Sequence, residues 1–206
     1  IFQILWRTST LFYTPKDLED KSGNRKKVIT YGPHPRMKDG NGALYRFLLS
    51  LEKELKEDDV KITLIGHSMG AIVVNQIVNL GLDLRYENIV HLASADSIEN
   101  LFNKVIPYID CSLEGTCNKG FPVRFYSLHL HPDNENREVS ARGFTPSGSL
   151  LTWIDGMYTT PKTVLDKRSG RWDNMTRAIE LIPSVEAKSD IQPDIKGHMR
   201  LEVIHS

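Results

Sequence analysis

Ser68 is the residue of this 206-residue chain best placed to act as a nucleophile. It stands in Gly66-His67-Ser68-Met69-Gly70, after Val60, Ile62, Leu64 and Ile65 and before the apolar run from Ala71 to Val78. The first group reads as a short buried strand and the second as a buried helix. A Gly-x-Ser-x-Gly turn between a strand and a helix lifts the serine hydroxyl above the C-terminal edge of a sheet, where a base can reach it. Both glycines are expected to be required, because side chains flanking the serine would crowd so tight a turn. The helix that follows aims its unbonded N–H groups and positive dipole end at the same spot.

A serine hydroxyl becomes a nucleophile only beside a base, which a carboxylate then orients. In an open α/β sheet, ligands sit outside the carboxyl ends of the strands, so the residues after each strand are the ones to weigh. Asp96 follows the expected strand Ile89–Ala95. Asp133 and Glu135 follow Val123–His129, and His205 follows His198–Ile204. His34, His129 and His131 flank prolines or sit on strands and read as structural or surface groups. His67 belongs to the turn itself and would line the site without acting as its base.

The elements that must carry these residues alternate between helix and strand. Ile1–Tyr13 has a helix-like repeat stopped by Pro15, and Val28–Tyr31 is a short strand ended by Gly32-Pro33-His34-Pro35. Ala43–Lys56 places Leu44, Phe47, Leu48, Leu51 and Leu55 on one helical face. Gly81 closes the helix after the serine turn. Ser97–Ile109 and Asn174–Ile182 read as helices, the second running only to Pro183, and Leu150–Tyr158 as a short one. Strand–helix alternation over the first 130 residues predicts an α/β domain with a mostly parallel, doubly wound sheet covered on both faces.

Gly66-His67-Ser68-Met69-Gly70 in its strand–turn–helix setting resembles the nucleophile turn of the α/β-hydrolase superfamily. The His-Ser-Met-Gly form is similar to that of its lipases and esterases. The resemblance is specific from about Val60 to Ala95 and topological elsewhere. It implies the order nucleophile, acid, histidine along the chain, with the acid two strands beyond the nucleophile and the histidine after the last strand. On this sequence the acid falls on Asp133, with Glu135 and then Asp96 as alternatives. The histidine falls on His205, on His198, or beyond Ser206. The Met69 N–H would be one oxyanion donor. The second would come from a loop upstream of Ile1, because Gly32-Pro33-His34-Pro35 is a poor substitute: prolines lack an N–H.

The function expected is a serine hydrolase that cleaves a small-molecule carboxylic ester or thioester through an acyl-enzyme on Ser68, with no cofactor and no metal. A binding module that keeps the turn as a relic, and an acyltransferase with an acceptor other than water, are the alternatives. The chain is expected to be one domain over 1–206, with a lid or acyl pocket drawn from 111–171. Phe121, Phe144, Leu150, Leu151, Trp153, Ile154, Met157 and Tyr158 could line that pocket, or pack the core. Ile1 is not an initiator methionine and the first dozen residues already look structural, so the chain is expected to be a fragment or a processed product, truncated at one or both ends.

Lys plus Arg equals Asp plus Glu at 26 each, which gives nothing to attract a nucleic acid. No run of residues reads as a membrane span or a signal peptide. Cys111 and Cys117, in the polar stretch Asp110–Asn118, form a small disulfide in an oxidising compartment or stay as thiols in a reducing one. Asn174-Met175-Thr176 is a glycosylation sequon that decides nothing alone. Compartment and oligomeric state stay open.

Overall fold

The computed structural model describes residues 42–56, 59–137, 148–186 and 199–204. The elements expected at Ile1–Tyr13 and Val28–Tyr31, and His34, Phe144, His198 and His205, lie outside them.

Four strands, β1 (Ile62–His67), β2 (Tyr86–Leu92), β3 (Arg124–Leu130) and β4 (Met199–Ile204), form an all-parallel open sheet in the order β1-β2-β3-β4. The fold is therefore of the α/β class. Parallel neighbours need crossovers, and helices supply them. Helix α1 (Ala43–Glu54) precedes β1, and α2 (Gly70–Asn79) joins β1 to β2. Between β2 and β3 runs a continuous helical stretch: α3 (Ile98–Asn100), a π segment (Leu101–Val105) and α4 (Ile106–Leu113). After β3 come α5 (Pro132–Arg137), α6 (Leu150–Trp153), a second π segment (Ile154–Tyr158) and α7 (Trp172–Glu186).

Among the described residues the helices gather on one side of the sheet. Ile89 and Phe125 pack there with Tyr45 and Leu48 of α1, Val74 and Ile77 of α2, Leu101, Val105 and Ile109 of the long helical stretch, and Met175 and Ala178 of α7. The other side is open: Thr63 is exposed and Ile65 is 64% exposed. Coverage of both faces is thus not met by the described residues. On α1, Leu48 is buried and Leu44, Leu51 and Leu55 pack against the core as expected, while Tyr45 takes the buried place expected of Phe47, which is exposed.

Several boundaries move for local reasons. β2 starts at Tyr86 and stops at Leu92, because Asn118 accepts from the Tyr86 N–H and donates to its carbonyl, extending the ladder at the near end. Ala93 then takes φ +45, which no strand residue can hold. Helix α7 continues past Pro183 to Glu186 and so forgoes one i→i−4 bond near its end. Gly81, at φ +64, terminates α2 as expected. Cys111 sits on the last turn of α4 rather than in a loop, and is disulfide-bonded to Cys117 with Cα atoms 5.5 Å apart.

Candidate active site

The Ser68 turn has the shape its sequence calls for. β1 ends at His67, Ser68 takes φ +51, and α2 begins at Gly70. A left-handed conformation is rare for a residue with a side chain and persists where the surroundings over-determine it. Here they do: the Ser68 N–H donates to the Leu92 carbonyl at 2.8 Å, and the Ser68 carbonyl accepts from the Ala95 N–H at 3.0 Å. The two partners are the last residue of β2 and a residue of the segment that follows it.

Only one of the two motif glycines is required by space. A β-carbon on Gly66 would lie 2.7 Å from both Cα and N of Ala71, a backbone that cannot yield. A β-carbon on Gly70 would meet nothing within 4 Å, and Gly70 has no positive φ. The expectation that both glycines are needed is corrected: the helix crosses close over residue 66 and swings clear of residue 70. Met69 has helical angles at the start of α2, so its N–H is among the amides with no intrahelical acceptor. His67 is exposed beside it.

The three carboxylates named by the sequence occupy different environments. Asp133 lies in the first turn of α5, just after β3, with its side chain 74% exposed and 3.6 Å from His131. The Asp133 N–H donates to His131 Nδ1, which makes that nitrogen an acceptor and His131 a local cap on α5. Glu135 is buried and committed: its Oε1 accepts from Arg171 Nε and Ser149 Oγ, each at 2.7 Å, and from Thr152 Oγ1 at 2.9 Å. Asp96 is buried too, taking bonds from Asn75, Asn100 and the Ser97 N–H. Among the described residues no hydrogen bond joins Ser68 to any of these carboxylates or to a histidine.

Two further histidines project into the core beneath this edge. His129 Nε2 lies 2.9 Å from Ser127 Oγ, and its ring makes a T-shaped contact with Trp172. Burial lowers its pKa, with the Gly170 backbone and Glu135 pulling the other way. His91, level with Gly66 across the β1–β2 pair, has neither ring nitrogen bonded among the described residues and makes a T-shaped contact with Phe125. Its pKa is depressed to about 4 by burial, against the attraction of Asp96 and with a small push from His129. Lys104, buried on the π segment, has its pKa lowered by burial while Asp96 draws it up.

Within 111–171, the span expected to form a lid or pocket, β3 belongs to the sheet, and residues 148–171 are tied by polar bonds to one another and to the start of α7. Asp155 accepts from the Arg168 N–H at 3.0 Å and from Asn174 Nδ2 at 2.7 Å, and pairs with Arg168 Nε at 3.3 Å. Arg168, Ser169 and Gly170 then dock on the residues after β2. Ser169 N–H donates to the Asp96 carbonyl and Gly170 N–H to the Ser94 carbonyl, both at 2.8 Å. Leu151 is buried, while Leu150, Met157 and Tyr158 are exposed; Phe121 lies under the Arg85 guanidinium instead. An open depression of about 480 Å³ lies beside Thr152, Asp155, Gly156, Thr159 and Lys167.

Sequence reading missed this Asp155–Arg168–Asn174 knot and the docking of Ser169-Gly170 on Ser94–Asp96. Neither has a signature in spacing, since the partners lie up to 75 residues apart. No group of three or more metal-binding side chains occurs among the described residues, and no described helix is long and apolar enough to cross a membrane. Comparison with protein-family models, with curated proteins and with solved structures gives no match.

Proposed function

We propose that this chain is a serine hydrolase of α/β-hydrolase type that cleaves a carboxylic ester or thioester through an acyl-enzyme on Ser68. One observation carries the reading: a serine held at φ +51, between a parallel strand and a buried helix, at the carboxyl edge of the sheet. A merely structural serine gains nothing from that backbone conformation. The strand order supports it as well, because the chain leaves β1, β2, β3 and β4 in sequence and brings the end of each to one edge.

In this reaction Ser68 Oγ attacks the acyl carbonyl while a histidine accepts the hydroxyl proton. The C–O or C–S bond then breaks, and the leaving alcohol or thiol takes that proton. Water attacks the acyl-enzyme by the reverse proton path and regenerates Ser68. The Met69 N–H would hold the oxyanion with a second donor. Asp133 remains the candidate acid, because Glu135 and Asp96 are each engaged by several buried donors. His205, directly after β4, is the candidate base. The ends of β1 and β4 are three strand spacings apart, about 14 Å, so the base must reach back across the edge.

Fluorophosphonate labelling, with Ser68→Ala as control, tests the proposal. Labelling that disappears in Ser68→Ala supports it, and loss of labelling in His205→Ala or Asp133→Asn assigns the partners. A folded chain that never labels favours the rival reading, a binding module that keeps the turn. That rival draws on the lack of any histidine bonded to Ser68 among the described residues.

A further inference from the structure

Asp96 is one of the most heavily bonded side chains beside Ser68. Its Oδ2 accepts from Asn75 Nδ2 at 2.7 Å, and its Oδ1 from Asn100 Nδ2 at 2.8 Å and the Ser97 N–H at 2.9 Å. Asn75 lies in the second turn of α2, fully enclosed, and its own Oδ1 has no partner among the described residues. The amide cannot turn round to relieve that oxygen, because an ionised carboxylate only accepts. A buried amide that leaves one end unpaired in order to donate from the other is held there against a local penalty.

That bond has a particular position. The Ser68 peptide groups are fastened to the end of β2 through Ser68 N–H to the Leu92 carbonyl, and to the segment after β2 through Ala95 N–H to the Ser68 carbonyl. The Asn75–Asp96 bond joins the same segment to the helix on the far side of Ser68. The turn is therefore closed in a ring: β1, Ser68, α2, Asn75, Asp96, Ala95 and back to Ser68. The segment after β2 is held from behind in turn. Ser169 Oγ donates to Ser94 Oγ at 2.9 Å, Arg168 Nη1 donates to the Ala95 carbonyl at 3.2 Å, and a β-carbon on Gly170 would run into the Ser94 amide.

We infer that Asn75 and Asp96 form a positioning pair that locks α2 to the segment Ala93–Asp96 and so keeps Ser68 in its left-handed conformation. The inference rests on the reading of Ser68 as nucleophile. On this account Asp96 acts through geometry, not as the carboxylate paired with the base. Its charge serves to accept three donors, none of them an imidazole.

The test compares Asn75→Ala, Asp96→Asn and the exchanged pair Asn75→Asp/Asp96→Asn. In Asp96→Asn the contact becomes a neutral one, because Asn75 can then turn its unpaired Oδ1 to accept from the new amide. In the exchanged pair residue 96 donates to residue 75 and its oxygen still accepts from Ser97 and Asn100. Two readouts are taken on folded protein: amide hydrogen exchange at Ser68 and Ala95, and the rate of fluorophosphonate labelling. Loss of the bond should speed exchange at both amides by about 10-fold in Asn75→Ala and slow labelling by a similar factor, with a smaller change of the same sign in Asp96→Asn, where a neutral bond replaces a charge-assisted one. The exchanged pair should bring both back toward wild type.

Unchanged exchange at Ser68 and Ala95 in both single variants overturns the inference. So does a loss of labelling by roughly 10⁴-fold in both Asp96→Asn and the exchanged pair with exchange restored in the latter, since that makes Asp96 the acid of a triad. If Asp96→Asn does not fold, Asn75→Ala, which leaves Asp96 two of its donors, decides alone. A wild-type chain that takes no label removes the nucleophile reading, and hydrogen exchange then decides the positioning pair by itself.

Discussion

Replacing His91 should change how the fold responds to acid, and the size of the change follows from its surroundings. His91 is 1% exposed, with both ring nitrogens unpaired among the described residues and its ring perpendicular to that of Phe125. Burial holds its pKa at about 4 in the folded chain, against 6.5 when free. Below pH 6.5 the unfolded chain therefore takes up a proton that the folded chain refuses. Stability contributed by neutral His91 is present in full above pH 6.5 and is lost as pH falls toward 4. At about 1.4 kcal/mol per pH unit, the whole window amounts to about 3 kcal/mol, and pH 5 already accounts for about 2 kcal/mol. His129, shifted in the same direction by burial, adds to the effect. Asp96 opposes it by attracting the imidazolium, and that attraction is already contained in the value of about 4. His91→Leu removes the titration and two unpaired polar atoms while keeping an apolar body beside Phe125. Urea unfolding at pH 7.5 and pH 5 should show the wild type losing about 2 kcal/mol more than the variant between the two conditions. Parallel losses in the two proteins would refute the assignment of acid sensitivity to His91.

Other expectations follow from single contacts. Gly66→Ala should lower stability by at least about 2 kcal/mol and abolish labelling of Ser68, because its β-carbon meets the Ala71 backbone at 2.7 Å. Gly70→Ala, with nothing within 4 Å, should stay folded and gain up to about 1 kcal/mol of helix propensity, a contrast readable by thermal unfolding. Reduction of Cys111–Cys117, which span only six residues of sequence, should remove about 2 kcal/mol, seen as a lower melting temperature in dithiothreitol. Asn174 is 3% exposed and its amide nitrogen donates to Asp155 and the Arg168 carbonyl, so the folded protein from a glycosylating host should carry no glycan there by mass spectrometry.

Legibility in the sequence followed the range of the physics. The Ser68 turn could be read because strand, turn and helix are adjacent in the chain, and the turn chemistry lies in five residues. β3 and β4 were legible as β-rich or alternating runs, and Gly81 as a helix stop. The need for Gly70 was misread, since whether a helix crosses near a turn depends on packing angles that the motif does not encode. Asp96 was ranked last among the carboxylates on position alone. Its three donors, at residues 75, 97 and 100, become neighbours only when α2 and α3 meet at the end of β2. The sequon at Asn174 shows the same limit: its pattern is local, but its fate is set by Asp155, 19 residues away.

A concentration of buried polar groups marks the carboxyl end of this sheet. Asn75, Ser94, Asp96, Asn100, Glu135, Asp155, Ser169 and Asn174 are all enclosed within the same region, while Ile89, Ile98, Leu101, Val105, Ile109 and Phe125 fill the interior with ordinary apolar packing. Buried ion pairs and amides seldom add net stability over apolar side chains of the same volume. What they add is direction, because each bond is satisfied in one geometry and broken in others. The interior needs only to exclude water, so shape and hydrophobicity suffice there. The edge must hold Ser68 at φ +51 and Ala93 at φ +45, conformations that apolar contacts alone would let relax. The polar network is therefore placed where the chain has a conformation to enforce. Its weakest point should be the Asn75–Asp96 bond, the one side-chain bond among the described residues that ties this network to α2.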